Sequence, residues 1–394
     1  MSGTLTVVIL SLLLGLQPVT TDLYLPALPA LQDGFGANMT QAQLTLSALL
    51  LAFGLSQLFW GPLSDRYGRR PVLLWGLGAY VLASIGCTLA PTIHALIIWR
   101  TVQGLALGAA VVCARALIRD LYNPVDGVRI MSKGQTGLGI IACVSAPLGG
   151  LLSDWLGWRY AMLALSLFGL ATLLLVALRF KETAHDRNPQ ALHPRTLLAT
   201  WRSVVSNRTF WAYSALSAAA YGGLFTYLAS SSFIFIQVLH ISKPVYGLMM
   251  FLTCLAYILG TWLCRRLLPR MGIQRSVALA AGFSLTGGTL VAVLALMGIQ
   301  SVWAILAPMM VFMLAHGVLQ PCSQSGALGP FPFAAGAASA LNGLLMVSAA
   351  FLTGSWLGTH MDGTVMPLAY GMWFWSALIA LSAWTLVQKY GAST

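Results

Sequence analysis

Two residues of opposite charge stand where charge is costly. Asp22 lies inside the first long apolar run of this 394-residue chain and Arg100 inside the fourth. A guanidinium in hydrocarbon costs several kcal/mol unless it has a partner or a water-filled cavity, and a carboxylate there faces the same demand. Both sit toward the outer ends of their runs at similar depths, so Asp22 is the expected partner of Arg100. Such a pair can carry protons: if the separation of the charges differs between two conformations, so does the proton affinity of the carboxylate. The alternative is an ion pair that merely orients two helices. Asp22 is the only acid placed deep within a run, so proton carriage would fall to it. A second polar set, His316, Gln320, Ser323 and Gln324, recurs at spacings of four and three, giving one helix a polar face. That face either lines a cavity or serves as hydrogen-bond glue between helices. Gln57, Gln103 and Asn342, with the aromatic residues Tyr24, Tyr221, Phe225 and Tyr257, complete the candidate wall of a substrate cavity.

The elements that carry these residues follow from composition. Hydrophobic residues make up 58% of the chain and charged residues 8%, too few charges to give a water-soluble globule its polar surface. Apolar runs, each of the ~20 residues that cross ~30 Å of hydrocarbon, lie at about 5–30, 41–63, 71–90, 93–117, 133–155, 158–180, 208–237, 244–267, 275–297, 301–325, 335–357 and 366–389. The first run lacks a basic leader and carries Asp22, Pro26 and Pro29 near its far end, so it is read as a spanning helix and not a cleaved signal. The expected fold is all-α: twelve transmembrane helices in two six-helix bundles, 1–180 and 208–394, joined by a polar cytoplasmic linker at 181–207 that holds Glu182, His185, Asp186 and Asn188. A net charge of +12 could suggest nucleic acid, but its placement decides against that. Loops on the side of the termini carry Arg66, Arg69, Arg70, Arg119, Arg179, Lys181, Arg187, Arg265, Arg266, Arg270 and Lys389, while the opposite side receives Arg159 and Lys243. The positive-inside rule therefore puts both termini in the cytoplasm.

After the second run the sequence reads Gly61-Pro62-Leu63-Ser64-Asp65-Arg66-Tyr67-Gly68-Arg69-Arg70-Pro71. Glycine allows a tight turn, proline suits a first helical turn, and the basic residues hold the loop in the cytoplasm. A faint counterpart, Arg270-Met271-Gly272-Ile273-Gln274-Arg275, falls at the corresponding turn of the second half. The first string closely resembles the signature loop of the major facilitator superfamily of secondary transporters. The resemblance implies a gating role for Gly61, Asp65, Arg66, Gly68, Arg69 and Arg70, with Asp65 closing the cytoplasmic face against the start of the eleventh helix. Arg100-Thr101-Val102-Gln103-Gly104 resembles a family run linked to proton coupling. Gly139 with Pro147-Leu148-Gly149-Gly150 resembles the antiporter motif, although Ala146 stands where the family has glycine. Glycine and proline there let the fifth helix bend and pack closely on a neighbour in the other half. Thr21-Asp22-Leu23-Tyr24-Leu25-Pro26-Ala27-Leu28-Pro29, Arg119-Asp120-Leu121-Tyr122, and Leu328-Gly329-Pro330-Phe331-Pro332 with Ala335-Gly336 resemble the bicyclomycin-resistance branch of drug:proton antiporters.

What the resemblance implies is a monomeric, proton-coupled multidrug exporter of the bacterial inner membrane, working on small amphipathic compounds by alternating access. The proton is its coupling ion, with no other cofactor, no metal and no nucleic-acid partner. A metabolite exporter or uptake symporter on the same fold is the alternative. A membrane enzyme would need a catalytic constellation, and the chain holds no nucleophile–base set, metal-ligand spacing or nucleotide loop. Its six cysteines fall within apolar runs and read as small packing residues.

Overall fold

A computed structural model describes residues 3–391 apart from 38, 123, 185–188, 190, 332 and 333. The linker residues His185, Asp186, Arg187 and Asn188 and the segment residue Pro332 therefore lie outside the described residues. Within them every regular element is helical: α1 (Gly3–Asp22), α2 (Leu28–Phe35), α3 (Met39–Tyr67), α4 (Arg69–Leu89), α5 (Ile93–Leu121), α6 (Pro124–Trp155), α7 (Trp158–Arg179), α8 (Pro194–Ser206), α9 (Arg208–Ser232), α10 (Lys243–Leu296), α11 (Val302–Leu328), α12 (Ala335–His360), α13 (Met366–Leu381) and α14 (Gln388–Tyr390). Eleven of the helical stretches are long and apolar enough to cross a bilayer. One of them, Val245–Leu296, has 52 residues, enough for two crossings at ~1.5 Å per residue. It turns at Gly272, whose φ of 72° and ψ of 178° are not helical, so the crossings number twelve.

Where helices begin follows local chemistry. Thr92 accepts the Ala95 N–H at 3.2 Å to cap α5, and Asn207 accepts the Phe210 N–H at 3.0 Å to cap α9. Gly68, with φ 99° and ψ 166°, turns the chain between α3 and α4 in the same left-handed region as Gly272, where a side chain would be strained. The faint sequence repeat is thus one backbone turn used in both halves.

Two features absent from the sequence expectation concern the site. The first run does not continue to residue 30 as one helix: α1 ends at Asp22, followed by a 3₁₀ turn, Leu25–Ala27, and then α2. Pro26 has no N–H to offer the Asp22 carbonyl, so the α-helical ladder stops there. Asp22 stands at a helix end and not in the middle of an unbroken span. Second, the polar linker, whose conformation the sequence left open, includes the helix α8, with Val204 fully buried and Leu198 exposed.

The chain clusters into two units, Met1–Val204 with Phe331–Leu344, and Val205–Pro330 with Leu345–Thr394. In the first, a core of Val19, Leu23, Tyr24, Leu31, Cys87, Leu96, Trp158 and Leu165 ties α1, α4, α5 and α7 together. In the second, Tyr221, Met346 and Ala350 pack with Leu224 and Phe225. Phe59, Leu82, Trp155 and Leu352 are each at least 65% exposed, which suits lipid and would be costly in water. Among the described residues the six cysteines form no disulfide and five of them are buried; Cys264 and Cys322 approach to 3.7 Å between α10 and α11.

Candidate functional site

In the first unit Arg100 is fully buried, yet its partner is not Asp22. Its Nη1 and Nη2 donate to the Thr20 carbonyl at 3.3 and 3.2 Å, Nη1 also donates to Gln103 Oε1 at 2.8 Å, and the guanidinium lies 4.2 Å from the Tyr24 ring centroid. Asp22 Oδ1 accepts instead from Thr21 Oγ1 at 2.8 Å, and the Asp22 side chain is half-buried. The expected ion pair is therefore not formed in this conformation. The cause lies in the helix end: Leu23 N–H still returns to the Val19 carbonyl, beyond it the chain passes into the Leu25–Ala27 turn, and a cation is the favoured cap for the carbonyls left at such an end. Arg100 caps that end at the Thr20 carbonyl.

A buried polar chain extends from there. Thr20 Oγ1 bonds the Tyr80 hydroxyl at 2.7 Å, Gln103 Nε2 donates to Ser84 Oγ at 2.7 Å, and the Tyr24 hydroxyl meets Thr45 Oγ1 at 2.5 Å, so α1, α3, α4 and α5 share one network. Among the described residues Arg100 Nε finds no hydrogen-bond partner. Further along α5, Arg115 is also buried, and its Nη1 donates to Gln57 Oε1 at 3.3 Å. Asn342 is buried on the neighbouring turn of α12, where a Cβ on Gly343 would stand 2.9 Å from Arg115 Nη1. Sequence inspection passed over Arg115, although a second arginine on the helix of Arg100 was visible.

The signature loop forms the second cluster of this unit. Arg69, 5% exposed, donates from Nη1 to Asp65 Oδ1 at 2.6 Å and to Ser64 Oγ at 2.7 Å, and from Nε and Nη2 to Asp120 at 2.9 and 3.3 Å. Asp65 also accepts the backbone N–H of Gly336, in the first turn of α12, where a carboxylate meets the positive end of the helix dipole. That contact needs two glycines. A Cβ on Gly61 would stand 2.6 Å from the Gly336 carbonyl oxygen, and a Cβ on Gly336 would stand 2.7 Å from Asp65 Oδ1. Arg66 is exposed and lies over the Tyr67 ring at 5.3 Å.

Glu182 completes the cluster and was missed in the sequence, where it was absorbed into the polar linker. Its carboxylate accepts from the backbone N–H groups of Arg69 at 2.8 Å, Arg70 at 3.2 Å, Thr183 at 2.9 Å and Ala184 at 3.0 Å, capping the start of α4 from the chain that leaves α7. Burial opposes its charge, but the four N–H donors prevail and hold the carboxyl below the usual glutamate range. Gly68 lets Glu182 approach, because a Cβ there would overlap the carboxylate.

The α6 motif has a packing role within the first unit. The glycine face of α6 seats on α1 in its own unit: Gly134 against Leu10, Gly137 against Ser11, and Gly149 against the Leu23 backbone beside Asp22. Gly139 is buried and Pro147 half-buried on the same continuous helix. Small residues let the two backbones approach, and Gly149 ties α6 to the broken end of α1.

In the second unit His316 is 3% exposed, with the Phe312 ring at 6.1 Å and the Tyr257 ring at 5.8 Å, and among the described residues its Nδ1 finds no hydrogen-bond partner. One turn on, Gln324 Nε2 donates to Gln320 Oε1 at 2.7 Å, while Gln324 Oε1 is unsatisfied. Tyr221 and Phe225 line α9 beside Met346. The first unit thus holds buried guanidinium groups and Asp22, and this face of the second offers imidazole, amide and aromatic groups.

The family pattern of the Major Facilitator Superfamily matches residues 10–355. The chain is 30% identical over 335 residues to "Multidrug resistance protein D" of Escherichia coli (strain K12), covering 85% of this chain and 83% of that protein. It is 30% identical over 349 residues to "Chloramphenicol resistance protein" of Pseudomonas aeruginosa, covering 87% and 82%. Among solved structures, that of the proton:xylose symporter XylE superposes with a TM-score of 0.79 over 98% of this chain and 95% of that one, at 15% identity, a likeness of fold. The chain belongs to the major facilitator superfamily.

Proposed function

We propose that this transporter is a proton-coupled multidrug antiporter of the bacterial inner membrane. It exports small amphipathic compounds such as chloramphenicol or bicyclomycin by alternating access between halves 1–180 and 208–394, joined by the linker 181–207. What carries the substrate class is the match, across more than four-fifths of the chain, to relatives named for multidrug and chloramphenicol resistance. The proton is the coupling ion, with no other cofactor, and Asp22 is its carrier. Asp22 stands at the broken end of α1, two residues beyond the Thr20 carbonyl that Arg100 caps. A shift of that end exchanges the Thr20 carbonyl for the Asp22 carboxylate as the acceptor nearest Arg100, which changes the proton affinity of Asp22. The basic loops put both termini in the cytoplasm, and the monomer is the working unit. Each proton moving inward across ~100 mV supplies about 2.3 kcal/mol, so exchange of one proton for a neutral drug is accumulative.

Vesicles holding purified protein, with an imposed pH gradient and voltage, test this together with a susceptibility screen of a pump-deficient bacterium. Asp22→Asn keeps the size but cannot titrate, and it is expected to abolish drug-driven proton release and active export while drug binding persists. Full active export by Asp22→Asn would remove Asp22 as the carrier.

A further inference from the structure

A cavity of about 590 Å³ opens at the end of the first unit where α4 starts and α7 finishes. Its lining mixes charge with hydrocarbon: Arg70, Arg179 and Lys181 supply three cations beside Leu5, Leu178 and Phe180, with Glu182 the one acid. Glu182, held as a carboxylate by the backbone N–H groups of α4 and of its own segment, offsets one of the three charges and leaves the lining net positive. Arg70 uses one N–H on the Ala177 carbonyl at 2.9 Å and has further donors in its planar fork. Arg179 and Lys181 are exposed and make no ion pair among the described residues. Structurally, Arg179 can serve the α7 C-terminus as a dipole partner, but that accounts for one cation and not for three around a hollow.

The shape and the mixture of linings indicate what fits. A volume of this size is that of an ordinary small-ligand site. The cations ask for an anion with several acceptor oxygens. The apolar walls ask for hydrocarbon attached to it: Leu178 is 78% exposed on a membrane-crossing helix, and Leu5 sits in the first turn of α1. Basic pockets between transmembrane helices are a recurring seat for anionic lipid headgroups. We propose that this cavity binds the phosphodiester headgroup of an anionic membrane lipid, with Arg70, Arg179 and Lys181 on the phosphate and the acyl chains against Leu5 and Leu178. The site is independent of the transported substrate and of the direction of transport.

Native mass spectrometry of the detergent-purified protein, titrated with phosphatidylglycerol, phosphatidylcholine or glycerol 3-phosphate, tests the assignment. The parent is expected to retain phosphatidylglycerol in preference to phosphatidylcholine. The double variant Arg179→Gln with Lys181→Gln is expected to bind phosphatidylglycerol about 30-fold more weakly, the equivalent of about 2 kcal/mol at ~1 kcal/mol per basic residue. Its phosphatidylcholine binding should not change. Removing the same number of charges elsewhere, with Arg266→Gln and Arg270→Gln on α10, should leave phosphatidylglycerol binding intact. Arg179→Lys with Lys181→Arg should preserve it, which guards against loss through misfolding. Equal losses in the two neutralised variants, or none in either, would overturn the site. Glycerol 3-phosphate binding as tightly as the lipid would overturn the lipid as its occupant.

Discussion

Gly61→Ala adds one methyl group to a surface with no room for it. The new Cβ would stand 2.6 Å from the Gly336 carbonyl oxygen and 2.9 Å from its carbon. That is about 0.9 Å short of the ~3.5 Å at which non-bonded atoms sit comfortably. Both atoms are backbone, so no side chain can swing away and α12 must withdraw from α3. Overpacking of this kind costs about 1–3 kcal/mol. One turn along the same face of α3, Asp65 accepts the Gly336 N–H, and withdrawal stretches that charge-assisted bond, worth about 1.5–3 kcal/mol. Alanine returns about 1 kcal/mol through helix propensity. The net, roughly 1.5–5 kcal/mol, shifts the equilibrium away from the arrangement in which α3 and α12 touch by about tenfold to several thousandfold. Ser339 is fully buried on α12, so a cysteine placed there in a background without the native thiols reports the change by its maleimide labelling rate. Gly61→Ala should speed that labelling at least tenfold and depress transport. Gly78→Ala, at a helical glycine with nothing within 4 Å, should do neither. Unchanged labelling and transport in Gly61→Ala would refute the claim that this contact is a gate.

Pro26→Ala restores an N–H that can bond the Asp22 carbonyl and lets α1 continue, which satisfies the Thr20 carbonyl within the helix and strips Arg100 of its cap; export should fall while membrane insertion remains normal, and full export would remove the helix break from the mechanism. Glu182→Gln bears on acid stability. A carboxyl held below its ordinary range contributes stability that is present above the unfolded value of about 4.3 and is lost as pH falls through the folded value, so thermal unfolding of the parent should show that acid-dependent loss and the variant should lack it. A reporter fused after Lys389 should report cytoplasm, and a periplasmic signal there would overturn the even number of crossings.

The fold was legible because the bilayer imposes a length. Runs of about 20 apolar residues separated by short basic or polar turns leave little choice of element, and Gly68 and Gly272 mark the same turn in both halves. The signature cluster was legible in part. Asp65 and Arg69 stand four apart and meet as an i,i+4 pair, whereas Asp120 and Glu182 reach Arg69 from residues 51 and 113 positions away along the chain. Glu182 carried one available signal, an acid placed immediately after a membrane helix in a chain with only nine acids.

The pairing of Asp22 with Arg100 was the reasonable inference that the structure does not bear out, and the reason is instructive. Depth along the membrane normal can be read from run lengths, so two charges can be placed at one level, but which acceptor a guanidinium chooses at that level depends on what the backbone leaves unsatisfied. Pro26 was visible, and with it the consequence that the Asp22 carbonyl loses its helical donor and α1 ends close by. A buried arginine next to a bare helix end needs no carboxylate to hold it. Arg100 is therefore anchored by Thr20 and Gln103 and not by Asp22, and among the described residues the carboxylate accepts from the Thr21 hydroxyl in this conformation. For a group proposed to carry protons that separation is an advantage, because a carboxylate locked to a guanidinium would stay ionised, while one two residues beyond the anchor can gain or lose its influence through a small movement of the helix end.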